Sequence, residues 1–344
     1  GTLRRWLLLL FSLQCTIMAF DERNQLLVHA EEDESLIKRT SKREQYWSLA
    51  KALCGVFCCP PIPSRIVAKL AFVPPDPPGY CFDGEPPNMS MFCAHPQTGH
   101  VSEKFAPSDC NLTLLYLDVG NSDKIACTYL RRKSARFTLL ISHGNAEDLG
   151  YMTEYMRQLS QRLNCSVFSY DYPGYGVSTG CPTEQKLYRS IEAAWNSLRL
   201  QFGIPARQII LYGVSIGTAP SIYLCATLAK RATSNQDNVL PAGLILHSPL
   251  SSGLRVFRPD NRMTWCCDPF QNISMISKVV TPTLIIHGTE DEIVPVSHGY
   301  ALHAKCDAAV PPLFIESGGH NDLDSFPIFY TRVREFLSDL EVQR

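Results

Sequence analysis

Three side chains, in one order along the chain, have the types and spacing for acyl transfer. Ser215 sits in Gly213-Val214-Ser215-Ile216-Gly217, directly after the apolar run Ile209-Ile210-Leu211-Tyr212. A G-x-S-x-G turn between a strand and a helix holds its serine in strained backbone geometry and leaves no room for side chains two residues to either side. The hydroxyl is thereby lifted above the sheet. Because a serine hydroxyl is a poor nucleophile at neutral pH, it needs a base within hydrogen-bond reach and a third group to orient that base. His320, after Glu316-Ser317-Gly318-Gly319, is the candidate base, and Asp291, after Gly288-Thr289-Glu290, the candidate acid. His143, His247, His287, His298 and His303 compete for the first role, and Asp268, Glu290 and Glu292 for the second. His143 and His287 each precede a glycine at a strand end, where an imidazole more often packs or satisfies backbone than acts as base. The place of Asp291 after His287-Gly288 suits a post-strand turn. Oxyanion stabilisation falls to the backbone N–H of Ile216 and to that of Asn145 in His143-Gly144-Asn145-Ala146, a segment that otherwise reads as a plain turn.

The elements that must position these residues follow from periodicity. Short β-rich runs at 112–117, 124–130, 137–141, 167–170, 209–212, 244–246, 284–286 and 313–315 make eight strands. After the first hairpin-like pair they are separated by helical patterns near 147–163, 184–202, 217–231, 297–305 and 328–340. This alternation predicts an eight-stranded, mostly parallel sheet flanked by helices. With the chain order Ser215, Asp291, His320 it points to the α/β-hydrolase fold. Residues 248–278, between the sixth and seventh strands, form only a short lid. Ligands of open α/β sheets bind outside the carboxyl ends of the strands, so the residues above should meet on one rim.

The catalytic domain is expected over 110–344. Before it, 74–109 carries Pro74, Pro75, Pro77, Pro78, Pro86 and Pro87 with no apolar periodicity and reads as a loop or tether. Residues 1–53 form an N-terminal extension. Its start, Arg4-Arg5 followed by an apolar run to Leu13, fits a signal peptide or anchor; the alternative is a fragment with an uncertain upstream boundary. A net charge of −1 over 344 residues leaves no electrostatic footprint for nucleic acid. The 14 cysteines lack the paired CxxC spacing of a zinc site, so neither metal nor cofactor is implied, and most read as small buried apolar residues. Cys54, Cys58 and Cys59 are the exception, clustered in 54–73 just before Pro60-Pro61.

Seven segments carry a more specific likeness: Phe57-Cys58-Cys59-Pro60-Pro61, Ala68-Lys69-Leu70-Ala71-Phe72, Ser142-His143-Gly144-Asn145-Ala146, Ser169-Tyr170-Asp171-Tyr172, Leu246-His247-Ser248-Pro249-Leu250, Ile286-His287-Gly288-Thr289-Glu290-Asp291-Glu292 and Gly319-His320-Asn321-Asp322. From about Leu53 to its end the chain resembles the alpha/beta-hydrolase domain-containing protein 17 family of membrane-bound palmitoyl-protein thioesterases. Val214 departs from the glutamine that usually precedes the family's nucleophile. The resemblance implies removal of palmitate from S-acylated cysteines of membrane proteins by an enzyme anchored through palmitoylation of its cysteine cluster, here Cys54, Cys58 and Cys59. It implies the cytosolic face of the plasma or endosomal membrane; a true signal peptide would instead send the chain, with sequons at Asn88, Asn111, Asn164 and Asn272, into the secretory pathway. Two other readings keep the same fold: a lipid or small-ester carboxylesterase, and a non-catalytic scaffold.

Overall fold

Strands buried on both faces need helices on both faces, and the apolar runs of this chain are built that way. The computed structural model describes residues 71–94, 101–105, 107, 110–234, 239–257 and 268–342. The extension 1–53 and the cysteines Cys54, Cys58 and Cys59 lie outside the described residues, as do 258–267 of the expected lid.

The strands in chain order are β1 (Tyr80–Asp83), β2 (Ser90–Ala94), β3 (Val101–Lys104), β4 (Asn111–Asp118), β5 (Lys124–Arg131), β6 (Thr138–Ser142), β7 (Ser166–Tyr170), β8 (Ile209–Val214), β9 (Gly243–His247), β10 (Thr283–Gly288) and β11 (Leu313–Ile315). The main helices are α1 (Thr153–Leu163), α2 (Glu184–Asn196), α3 (Thr218–Ser234), α4 (Gly253–Phe257), α5 (Asn272–Met275), α6 (Ser297–Lys305) and α7 (Pro327–Val342). β4 to β11 are the eight strands expected from the sequence. They form one sheet in the order β11-β10-β9-β8-β6-β7-β5-β4. β5 runs antiparallel to both β4 and β7, and the other neighbours are parallel. The fold is that of an α/β-hydrolase.

All residues of β6, β7, β9 and β10 are buried. Alternate side chains feed two cores. Leu140, Leu211 and Ile285 pack with Ile191 of α2, Ile222 of α3 and Leu302 of α6. Leu139, Ile210, Ile286 and Leu313 pack with Met156 of α1 and Val333 of α7. β7 lies on one side of β6 and β8 on the other, so the strand order reverses at β6 and opens a crevice above the carboxyl ends of β6 and β8.

Two expectations need correction. The helix expected from residue 147 begins only at Thr153, because the Asp148 carboxylate takes the N–H groups of Gly150 and Tyr151 into a local turn. More substantially, 74–109 is not a plain tether, and the domain does not begin at 110. β1 pairs antiparallel with β2, and β2 with β3, as a separate three-stranded sheet. Tyr80, Met91 and Cys93 enter the α1/α7 core, and Phe72 enters the opposite one. The prolines occupy the approach and the β1–β2 turn, outside the strands, where a missing N–H costs no ladder bond. Met91→Ala is expected to destabilise the protein by about 2–5 kcal/mol, the usual cost of truncating a fully buried side chain. Urea unfolding followed by tryptophan fluorescence measures it; a change near zero would restore the tether reading.

Candidate active site

β8 ends at Val214, and the chain reverses at once into a 3-10 turn, Ser215–Gly217, that leads into α3. Ser215 has φ +50°, the left-handed region that L-residues avoid. Packing enforces it. A Cβ at Gly213 would lie 2.5 Å from Gly217 O, and one at Gly217 would fall onto Ser142 O and lie 2.6 Å from His143 O. Thr218 Oγ1 donates to Ser215 O at 2.6 Å and ties the turn to the helix start. The Ser215 side of the site therefore faces the positive end of α3.

The His320 ring stands between Ser215 and Asp291. His320 Nδ1 lies 2.7 Å from Asp291 Oδ2, and Nε2 lies 3.0 Å from Ser215 Oγ. An ionised carboxylate only accepts, so Nδ1 carries the proton and Nε2 presents its lone pair to the serine hydroxyl. Burial alone would raise the Asp291 carboxyl, but hydrogen bonds from His287 and His320, attraction to His320 and the Val294 N–H hold it well below the usual carboxylate range. Asp291 Oδ1 accepts from the N–H groups of Ile293 (2.9 Å) and Val294 (2.7 Å). The loops carrying acid and base are stitched together: Thr289 N–H donates to Ile315 O, Glu290 N–H to Gly318 O and Ser317 N–H to Thr289 Oγ1.

His287, weighed from the sequence only as a rival base, lies against Asp291 instead. Its Nε2 lies 2.8 Å from Val294 O and 3.1 Å from Asp291 Oδ2, so it braces the acid and the turn around it. The four-residue spacing from His287 to Asp291 across a glycine turn was the available signal. Of the rival acids, Glu292 accepts the His320 N–H at 3.3 Å, while three rival histidines meet other partners. His143 is fully buried, with Nδ1 2.7 Å from Gly144 O and Nε2 3.3 Å from Asp171 Oδ1. Burial opposes its charge, but Asp171 outweighs burial and raises its pKa. His298 accepts from Ser251 N–H at 2.9 Å. His247 Nδ1 meets Tyr212 Oη at 3.0 Å beneath the site. His303 lies in the last turn of α6, and Asp268 accepts from Leu254 N–H.

Asn145 and Ile216 lie at the ends of β6 and β8, on the two sides of the crevice. Ile216 is second in its 3-10 turn, where the N–H has no acceptor within the helix. The loop around Asn145 is held by Tyr172 Oη donating to His143 O (2.7 Å) and by Gly144 N–H donating to Glu147 Oε2 (3.1 Å). Ser215 and Asn145 are partly exposed, whereas His320 is only 6% exposed. A surface groove of about 500 Å³ lined by Val119, Arg189, Glu192 and Leu200 contains none of these residues.

The chain has relatives among known proteins. Over 295 residues the chain is 43% identical to human alpha/beta hydrolase domain-containing protein 17B, covering 83% of this chain and 95% of that one. The chain belongs to the alpha/beta hydrolase domain-containing protein 17 family. The 17C members of Xenopus laevis and Mus musculus are 44% and 43% identical, each covering 83% of this chain and 93% of the relative. A family model described as Chlamydia CHLPS protein (DUF818) matches residues 101–241. Among solved structures, an esterase of Pyrococcus furiosus superposes with a TM-score of 0.54 at 16% identity, covering 70% of this chain and 96% of that one. Est1E from Butyrivibrio proteoclasticus with ferulic acid bound gives 0.51 at 19% identity, covering 66% and 99%. These two share the fold. As a member of the 17 family the chain is an α/β-hydrolase, and the rim of β6, β8, β10 and β11 is where its candidate residues meet.

Burial, then repulsion from His320 and His287, pushes His247 down to about 3, and burial pushes His298 down to about 4. Unfolded histidines titrate near 6.5, so below that pH the unfolded chain binds protons that the folded one refuses. Stability is expected to be full above about pH 6.5 and to fall steadily toward pH 4. His247→Asn should flatten that fall, whatever it costs at neutral pH. Urea unfolding at pH 7.5 and 5 reads the slope, and equal slopes in variant and wild type would refute the assignment.

Proposed function

We propose that this α/β-hydrolase is a serine hydrolase that cleaves palmitoyl thioesters from S-acylated cysteines of membrane proteins. The observation that carries the catalytic part is the unbroken line Ser215 Oγ, His320, Asp291, at 3.0 and 2.7 Å. The family and the cysteine cluster upstream support the substrate class.

The chemistry runs in two halves. Ser215 Oγ attacks the thioester carbonyl carbon as its proton passes to His320 Nε2, and Asp291 stabilises the imidazolium. The N–H groups of Ile216 and Asn145 receive the oxyanion. The C–S bond then breaks. A cysteine thiolate of pKa about 8.5 is a good leaving group and takes the proton from His320 on departure. Water attacks the acyl-serine, giving its proton to His320. The serine C–O bond breaks, the proton returns to Ser215, and the fatty acid leaves.

Lipid chains on Cys54, Cys58 or Cys59 would hold the enzyme on the cytosolic leaflet, and two chains give stable attachment where one does not. Cys59 lies twelve residues before Ala71, which reaches the site's rim. At full extension that stretch spans roughly 40 Å, so the site would stay close to the bilayer. Asn272, a nominal sequon, is fully buried and donates Nδ2 to Leu250 O at 2.8 Å, leaving no place for a glycan there.

A fluorophosphonate probe should label the wild type and spare Ser215→Ala; equal labelling, or none of either, would remove the enzyme and leave a scaffold. Asp291→Asn should lower kcat by about three to four orders of magnitude, the scale seen when a triad acid is neutralised. Palmitate release from an S-palmitoylated peptide on vesicles, set against an oxoester of the same acid, tests the substrate class. Oxoester turnover with no thioester turnover would make the protein a carboxylesterase. Cys54, Cys58 and Cys59 changed together to serine should leave membranes, measured by fractionation; retention would place the anchor in 1–53.

A further inference from the structure

The loop after β6 is fastened from outside by an unusual hold. The Asn145 carboxamide donates Nδ2–H to Ala71 O at 2.9 Å and accepts the Val73 N–H at Oδ1 at 3.0 Å. A β-strand offers its neighbour this same pair, the carbonyl of one residue and the N–H of the residue two further on. One side chain therefore stands in for a rung of ladder, to a segment more than seventy residues away in sequence. Tyr175 locks the amide's orientation: its hydroxyl donates to Asn145 Oδ1 at 2.6 Å and shares the Val73 N–H at 3.1 Å. With the amide reversed, the Val73 N–H and the Tyr175 hydroxyl would both face an NH₂ group.

Beside it, Phe72 is 6% exposed and meets the Phe270 ring edge-on at 5.9 Å. The strap 71–73 is thus pinned twice, once to the base of the lid and once to the loop bearing Asn145. On the near side the loop's holds, from Tyr172 to His143 O and from Glu147 to Gly144 N–H, stop one residue short, and on the far side the next, from Asp148 to Gly79 N–H, comes three residues on. Ala146, one residue beyond, is in the left-handed region at φ +57°. The Asn145 peptide lies between a glycine and a left-handed residue, and its side chain is what ties it to the strap.

We propose that the Asn145 carboxamide is a positioning residue: by clasping the strap at Ala71 and Val73 it fixes the Asn145 backbone N–H where the oxyanion forms. The inference rests on the serine-hydrolase reading and extends it. The segment that joins the cysteine cluster to the domain thereby becomes part of the oxyanion site. Val73→Pro deletes the strap's N–H without touching the loop, and Asn145→Ala deletes the clasp from the loop's side.

The test uses the full chain, a soluble octanoyl thioester, kcat and KM separately, and thermal melting. Wild type and Ser215→Ala come first; an inert wild type, or one no faster than Ser215→Ala, ends both the reading and the inference. With an active wild type, Asn145→Ala should lower kcat by about ten- to a hundredfold, the scale of a misplaced group, with KM within about threefold. Asn145→Asp sets a carboxylate oxygen against Ala71 O in place of the donor, so it should fall at least as far as alanine. Val73→Pro should lower kcat in the same sense, and the double variant should fall no more than about twofold below the worse single one, since both cut one linkage. If Asn145→Ala does not fold, Val73→Pro decides alone. A kcat within about twofold of wild type in the folded variants, losses confined to KM, or losses that multiply in the double variant would overturn the inference while leaving the hydrolase reading intact.

Discussion

The rim is organised around a backbone-to-backbone contact at the turn between β8 and α3. Gly217 lies so close to Ser142 O and His143 O that no side chain fits between them, and Gly213 is as close to the first turn of the helix. That approach sets the start of α3 against the end of β6, and Ser215 beside it takes the left-handed conformation at φ +50°. The strain is local, and the cores on both faces of the sheet hold it in place. The same contact joins the Ser215 turn to the loop of His143, Gly144 and Asn145, so the two share one seam.

On either side of that seam sits a buried ionic cluster. On one side Asp291 is flanked by His287 and His320 and capped by two backbone N–H groups. On the other, Asp171 is fully buried and meets His143, the hydroxyl of Tyr80 at 2.5 Å and the N–H of Leu149. Asp148 adds a second carboxylate, raised by burial and then by Asp171, and it accepts the Gly79 N–H at 2.6 Å. Buried charge is tolerated only where partners surround it, and breaking such a set from one side is costly. Both clusters also join segments distant in sequence: the first binds the loops of β10 and β11, the second binds β1 to the oxyanion loop.

The sequence made most of this rim legible, for a physical reason. Each strand of a doubly covered sheet is an apolar run that ends abruptly, and the polar residues just past the ends of β8, β10 and β11 are Ser215, Asp291 and His320. Local pattern therefore located both scaffold and candidates. Contacts between segments far apart in the chain stayed hidden. Tyr80, Met91 and Cys93 alternate over strands of only four or five residues among prolines, too short for a periodic signal. Asn145 was legible through its backbone because its place after β6 is local, but the partners of its side chain are not. His287 looked like an alternative to His320 because sequence shows residue types and leaves open which oxygen a ring nitrogen faces.

β11 is three residues long, lies at the sheet's edge and, among the described residues, pairs only with β10. His320 hangs from it, while Ser215 stands on β8, with β10 and β9 between. The base and acid travel together because their loops are stitched, but their join to the serine crosses the end of a whole strand, where Ser248 Oγ reaches His320 O at 3.3 Å. Edge elements with few neighbours fray at a fraction of the free energy of global unfolding. The alignment of the rim is therefore less durable than the fold itself: opening of one short strand would part His320 from Ser215 while the rest of the sheet remained folded.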